Sequence, residues 1–422
     1  MCSPLRFAVV VLCFVALAAC GGGGGGNGGG APGNLPRTEY HEFAVADLDG
    51  DGFDDLIAAS DFFDAAGAEH GSVDVFRRNP ASPQNLLPKV SYPIAQVPFG
   101  IAVADVNGDG RPDVVVSCSF AESGFRVLLQ SPVGGGALGA DQFVATTGPV
   151  YGIATADIDG DGLTDVVVAM DGKVALFAQQ TAAPGTFAAQ VTIGDGSRRA
   201  IAVDLNADGL IDVAALDNFQ DYDNKVVYYL QDPAVPGTFL PVRTIATSEN
   251  ADAADLATGE LGGDGKLDIG VSGTRVVTGN DLDKNRKGWW APQQQRASSP
   301  GDFDTEGRYG TNGARDARIA IADIDGDGRD DVVIALRTTE SKPNLIVVFL
   351  QKPDATFGKG VNYTIPDDAA VTAPDLYAVA LRDMNDDGLL DVVVSTNEVF
   401  YFPQRAAARG QLAPAVRIAA QR

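Results

Sequence analysis

The stretch Asp157-Ile158-Asp159-Gly160-Asp161-Gly162-Leu163-Thr164-Asp165 places carboxylates at positions 1, 3, 5 and 9 of a nine-residue loop. Gly162, at position 6, permits a sharp reversal, because glycine takes positive φ at little steric cost. The β-branched run Val166–Val168 follows at once and reads as a buried strand. Alternate residues on such a loop aim oxygens inward, and a hard divalent cation takes an oxygen cage of that kind. Carboxylates so close repel one another unless a cation, the largest local charge, removes the cost.

The pattern recurs seven times. Loop one carries Asp47, Asp49, Asp51 and Asp55; loop two Asp105, Asn107, Asp109 and Asp113; loop three is the stretch above. Loop four carries Asp204, Asn206, Asp208 and Asp212. Loop five is degenerate, with Glu260, Gly262, Asp264 and Asp268. Loop six carries Asp323, Asp325, Asp327 and Asp331; loop seven Asp383, Asn385, Asp387 and Asp391. Successive loops start 47 to 63 residues apart, a period that marks a repeat architecture.

An EF-hand begins with a similar run but needs a bidentate Glu at position 12 and flanking helices. Here position 12 is Ala58, Val116, Val168, Ala215, Val271, Ile334 or Val394, and the flanks read as strands. The last carboxylate is therefore assigned to position 9. With Phe99-Gly100 or Tyr151-Gly152 ahead of the loop, the pattern resembles FG-GAP and VCBS-type repeats, those of the integrin α-chain head. The resemblance spans roughly Tyr40 to Ala420 and implies an all-β fold, a seven-bladed β-propeller of four-stranded blades with a calcium loop in each.

The repeats fill nearly all of the 422 residues, so one large domain over 39–422 is expected rather than two or three average ones. Net charge is −25, and more than two-fifths of the 56 acidic residues lie in the loops. Seven Ca²⁺ would cancel over half of that charge; the remainder serves solubility and argues against a nucleic-acid partner.

Ahead of the repeats, residues 1–19 read as a leader: Arg6 is followed by the apolar run Phe7 to Ala19, too short to span a bilayer. The run closes Leu17-Ala18-Ala19-Cys20, which looks like a bacterial lipobox, and that likeness implies cleavage before Cys20 and diacylglycerol on its thiol. An ordinary signal peptide with a chance Cys is the alternative. Residues 20–38 form the lipidated Cys and a Gly-rich tether, a flexible coil that holds the folded part away from a membrane. Gly rather than Asp follows Cys20, and the likeness to enteric bacterial lipoproteins implies outer-membrane rather than inner-membrane sorting on the bacterial cell envelope. Processing leaves Cys118 alone, so no intramolecular disulfide is expected and packing and metal must supply stability. Cys118 follows Val114–Val116 and is expected buried.

Each repeat reads as four strands. In repeat two these are Gly100–Ala104, Asp113–Ser117, Phe125–Gln130 and a weaker Gln142–Thr147. The third strand commonly ends in Gln before a Pro/Gly turn and Phe: Gln180 with Phe187, Gln231 with Phe239, Gln351 with Phe357, and in repeat five Gln294 with Phe303. Trp289 and Trp290 then fall on a blade strand, with an exposed ligand-stacking role as the rival reading. Ala413–Ala419 reads as a final outer strand. Each blade can be contiguous, although a closure that interlocks the termini is compatible with the sequence.

All seven loops join first to second strands and so share one face. The integrin resemblance implies that the opposite face binds ligand. The longer loops expected there are Ser60–Gly71 and Thr274–Gly288; the second contains Asp281, Asp283 and Asn285, an eighth cation site or a solvated polar loop. Ca²⁺, six or seven ions in a structural role, is expected over Mg²⁺, because the site offers many protein oxygens in an irregular cage. The chain has two His, His41 and His70, and shows no His-based triad, zinc cluster or phosphate-cradling loop. The expectation is a monomeric, non-enzymatic binding or adhesion module for a protein or glycan. A polysaccharide lyase or glycosidase using the propeller face is the alternative, and a purely structural envelope component the third reading.

Overall fold

The computed structural model describes residues 38–418, apart from 64–68, 83–84, 119–122, 218–224, 248–250, 277–285, 306, 312–314, 339–342, 367–375 and 397. Described residues form seven antiparallel sheets, each drawn from one contiguous stretch. The fold is an all-β, seven-bladed propeller. Blade one shows the plan: an inner strand Thr38–Ala46, a second Asp55–Phe63, a third Glu69–Phe76 and an outer Val90–Ile94. Blade five adds a short piece, Tyr309–Gly310, which pairs with its third strand Arg286–Gln295 beyond the outer strand Phe303–Thr305.

Position in the sheet follows composition. The second strands Asp113–Cys118 and Asp165–Met170 are buried throughout, as their continuous apolar runs require. The outer strands Gln142–Ala145 and Val361–Thr364 are mostly exposed. The core lies between blades: one cluster joins Leu56 and Phe76 of blade one to Val393 and Tyr401 of blade seven, and another joins Val73 and Val75 to Val114 and Val116. Burying each such Val is worth roughly 1.5–3 kcal/mol. The ring closes by packing the inner strand of blade one on blade seven, with no strand exchanged among the described residues.

Each third strand ends in a turn bridged by a Gln: Gln130 to Leu138, Gln231 to Phe239, Gln351 to Phe357 and Gln404 to Leu412. In blade three the bridging residue is Gln179, not the expected Gln180, and in blade five Gln295, not Gln294, occupies the equivalent place. Glutamines stand side by side at both sites, and the equivalent residue is the one whose backbone amide reaches the position-9 carboxylate, Gln179 to Asp165 and Gln295 to Asp268. Blade one uses Arg78, bridged to Leu86.

Both long loops begin and end in strand. Residues Asp55–Phe63 and Glu69–Phe76 leave 64–68 between them, and Asp268–Val276 and Arg286–Gln295 leave 277–285. The run containing Asp281, Asp283 and Asn285 therefore lies outside the described residues, as does Cys20 with the tether. Cys118 is buried. Trp290 is buried and stacks on Tyr309 at 4.5 Å, and Trp289 is buried as well, so both serve the blade. The last outer strand shrinks to Val416–Arg417.

Candidate metal centre

The loop is folded by its own first carboxylate. In loop three Asp157 Oδ1 accepts from the Gly160 amide at 2.8 Å, and Oδ2 from Gly162 at 3.0 Å. Asp47, Asp105 and Asp323 do the same work in loops one, two and six; Asp204 accepts from Asp208 and Gly209 in loop four, and Asp383 from Asp387 and Gly388 in loop seven. Gly162 sits at φ 86°, as position 6 requires. Position 4 also takes the left-handed region, including Ala207 (φ 61°) and Asp386 (φ 60°), where a side chain is strained.

Position 9 is the hub. Asp165 is buried; its Oδ2 accepts from Ile158 N at 2.9 Å and its Oδ1 from Gln179 N at 2.8 Å, tying loop to third strand. Asp55, Asp113, Asp212, Asp268, Asp331 and Asp391 make the same two bonds in their blades. The Gln side chain then reaches the preceding blade: Gln130 Nε2 donates to Leu48 O at 2.6 Å, Gln231 to Ile158 O at 2.8 Å and Gln404 to Ile324 O at 2.6 Å. Gln295 reaches Leu205 O, and Gln351 reaches Glu260 O at 3.1 Å. At the seam Arg78 does this with Asp383 O at 3.2 Å. Each of these contacts docks a loop on its neighbour.

Loops one, three and six bring three carboxylates together. One oxygen each from Asp47, Asp49 and Asp55 lies within 4.8 Å of the others, and likewise from Asp157, Asp159 and Asp165, and from Asp323, Asp325 and Asp331. In loops two, four and seven position 3 is an amide, and Asn107, Asn206 and Asn385 turn Oδ1 onto the position-5 amide as Asp159 does. The donors are all hard oxygens, which fits a hard cation. Position 5 stays outside these clusters: Asp109 and Asp327 pair with Arg111 and Arg329, and Asp51, Asp161, Asp208 and Asp387 each accept from the amide two residues on. Burial pushes the position-9 carboxyls up, Asp55, Asp331 and Asp391 to about 7 and Asp113, Asp165, Asp212 and Asp268 to about 6, against the pull of their amide donors. Burial also raises Asp49, Asp159 and Asp325.

Loop five departs as its sequence does. The Glu260 carboxylate accepts from Asp264 N at 2.9 Å, and Gly262 offers no oxygen side chain. Protein groups brace it instead: Gln294 Nε2 donates to Leu261 O at 3.1 Å, and Asp330 of blade six accepts from Glu260 N at 2.8 Å.

A second polar group was not evident from the loop pattern. Five residues before position 1, the seven blades carry Glu42, Gly100, Gly152, Arg199, Asp255, Arg318 and Ala378. Gly100 and Gly152 are the glycines of the Phe-Gly and Tyr-Gly pairs. Aligning the copies on their loops is the signal that finds the four charged exceptions. His41 also pairs with Asp61 at 3.0 Å, both buried.

The FG-GAP-like repeat profile matches residues 47–116, 157–215, 204–271 and 323–394, more than half of the chain. The chain belongs to the FG-GAP-like repeat family, and its fold is an integrin-like propeller. It is 26% identical over 274 residues to integrin alpha pat-2 of Caenorhabditis elegans, covering 60% of this chain and 19% of that protein. To human integrin alpha-6 it is 30% identical over 135 residues, covering 30% and 12%. The chain thus spans less than a fifth of these relatives' length. Among solved structures it is similar to an Agrocybe aegerita lectin that recognises non-reducing terminal N-acetylglucosamine (TM-score 0.49, 17% identity, 82% of this chain and 87% of that one). It is also similar to the exotype rhamnogalacturonan lyase YesX (TM-score 0.42, 12% identity, 91% and 74%). An integrin-like propeller fits a binding module.

Proposed function

We propose that this chain is a calcium-stabilised propeller that binds a protein or glycan through the face opposite its acidic loops. The observation that carries the reading is the oxygen-lined loop repeated in register around one rim of a propeller of the FG-GAP-like family. Asp157, Asp159 and Asp165 would hold the cation in loop three, and the corresponding residues of the other loops theirs. A bound Ca²⁺ supplies positive charge that offsets carboxylate repulsion. The chain's own groups carry the consequence outward: Asp165 fixes the third strand through Gln179 N, and Gln130, Gln231, Gln295, Gln351 and Gln404 fix one blade on the next. That rim is committed to structure, which leaves the turns between second and third strands to meet a partner. The likeness to integrin α chains supports this division.

Lipidation at Cys20 and a place on the bacterial envelope are part of the same proposal, supported by the Leu17-Ala18-Ala19-Cys20 sequence. Cys20→Ser should move the chain from the membrane to the soluble fraction; an unchanged distribution would remove the anchor. The binding reading is tested by presenting the full chain, with Ca²⁺ or chelator, to a glycan array and purified envelope proteins. Calcium-dependent capture without product is expected. A polysaccharide that emerges with new reducing or unsaturated ends would replace the binding module with an enzyme.

A further inference from the structure

The four charged exceptions in the inner strands meet. Arg199 of blade four lies 3.4 Å from Glu42 Oε1 of blade one and 2.7 Å from Asp255 Oδ1 of blade five. Asp255 also accepts from Leu256 N at 2.8 Å and from Ile319 N of blade six at 3.1 Å. Arg318 of blade six donates through Nε to Tyr377 O of blade seven at 2.7 Å. Side chains from blades one, four, five and six thus converge at one level of the ring, around the axis. The three remaining blades put Gly100, Gly152 and Ala378 at that level, which leaves the middle unfilled by their side chains. Glu42 Oε2 lies 3.3 Å from where a Cβ on Gly100 would stand, so the carboxyl occupies space that a glycine vacates.

The group is sealed: Glu42 is 0% exposed, Asp255 and Arg318 1%, and Arg199 2%. Asp255 has its oxygens committed. Arg318 does not: Nη1 and Nη2 are buried with no hydrogen-bond partner among the described residues, and Glu42 Oε2 is in the same state. A buried guanidinium costs several kcal/mol unless its donors are satisfied. Nη1 and Nη2 form a planar fork that matches two oxygens of an oxyanion. Burial pushes the Glu42 carboxyl up, against the pull of the Arg199 and Arg318 guanidinium groups.

We infer that the axial charged cluster is an oxyanion site, in which Arg318 Nη1 and Nη2 grip a small carboxylate or phosphate with Glu42 beside it. The ligand is small because the cluster is sealed from solvent, and it is an oxyanion because the unsatisfied donors of Arg318 form a fork. This site is separate from the acidic rim and does not depend on metal there.

The test measures the melting temperature of the full chain against sodium acetate and sodium phosphate, with sodium chloride at matched ionic strength as reference. Wild type and Arg318→Lys are compared, since Lys keeps the charge and loses the fork. A saturable rise with either anion, weakened at least tenfold in apparent affinity by Arg318→Lys, is the expected result. A response to acetate alone makes the ligand a carboxylate, and a response to phosphate alone makes it a phosphate. No saturable response beyond chloride, or equal responses in both proteins, overturns the inference. Should Arg318→Lys fail to fold, wild-type crystals equilibrated with bromoacetate decide: bromine anomalous density beside Arg318 supports the site, and ordered water alone there overturns it.

Discussion

The rim and the axis of this propeller both bury charge, and they do so in opposite ways. The rim repeats one sign in every blade and satisfies each position-9 carboxylate with two backbone amides, as Asp165 is by Ile158 and Gln179. The axis mixes signs in four blades only and satisfies charge with charge, as Arg199 is paired with Glu42 and Asp255. The rim's solution is local to a loop and can be copied seven times. The axial solution needs four distant segments at once, so it exists only in the finished ring. One is a module, the other a keystone.

The widest separation between the two should come from chelation. Each ion at one hundred times its Kd adds about 2.7 kcal/mol, so stripping six or seven should lower the melting temperature by roughly 10 °C or more. An unchanged melting curve in excess chelator would show that backbone amides alone hold the rim. Next in size is Arg199→Met, which leaves Asp255 and Glu42 without their shared cation. Breaking a buried pair in this way costs about 3–5 kcal/mol. Denaturant melts with and without Ca²⁺ should give the same loss, because the axis does not touch the loops; a loss confined to the Ca²⁺ form would merge the two regions.

The smallest effect is one of slope. The position-9 carboxyls have folded values of about 6 to 7 against an ordinary 3.8, so the metal-free fold holds protons that the unfolded chain releases. In chelator, stability should therefore rise as pH falls from about 7 towards 4. With Ca²⁺ the slope should reverse, because protons compete with the ion for the same oxygens. Thermal melts across that range, with parallel slopes in the two conditions, would remove cation binding from the account.

Much of the rim was legible because it repeats. Seven spaced copies of one loop define the blade count, and the apolar residue at position 12 separates the loop from an EF-hand. What failed was local register: Gln179-Gln180 and Gln293-Gln294-Gln295 present adjacent identical side chains, and nothing in the side chains says which backbone amide meets the position-9 carboxylate. The length of the hairpins beyond Ser60 and Thr274 was also hidden, since Asp61 and Phe62 carry no signal that a strand continues. The partners of position 5 in loops two and six were not legible either: Asp109 pairs with Arg111 and Asp327 with Arg329. The axis was illegible for a different reason. Glu42, Arg199, Asp255 and Arg318 share no motif, and they become a group only when glycine at the equivalent position of blades two and three is taken as the rule and charge as the exception.

Arg78 gives the molecule a topological consequence. Because every described blade is contiguous, the first and last blades meet at a single seam, and there the glutamine of five other junctions is replaced by an arginine that reaches Asp383 O and packs on Met384. The ring therefore has a built-in origin. A circular permutant that joins the native ends and opens between Gly194 and Ala200 would relocate that origin to a glutamine junction while leaving all seven sheets whole. The arginine would then be an ordinary internal junction, and the order in which blades peel apart under a pulling force would rotate with the new ends.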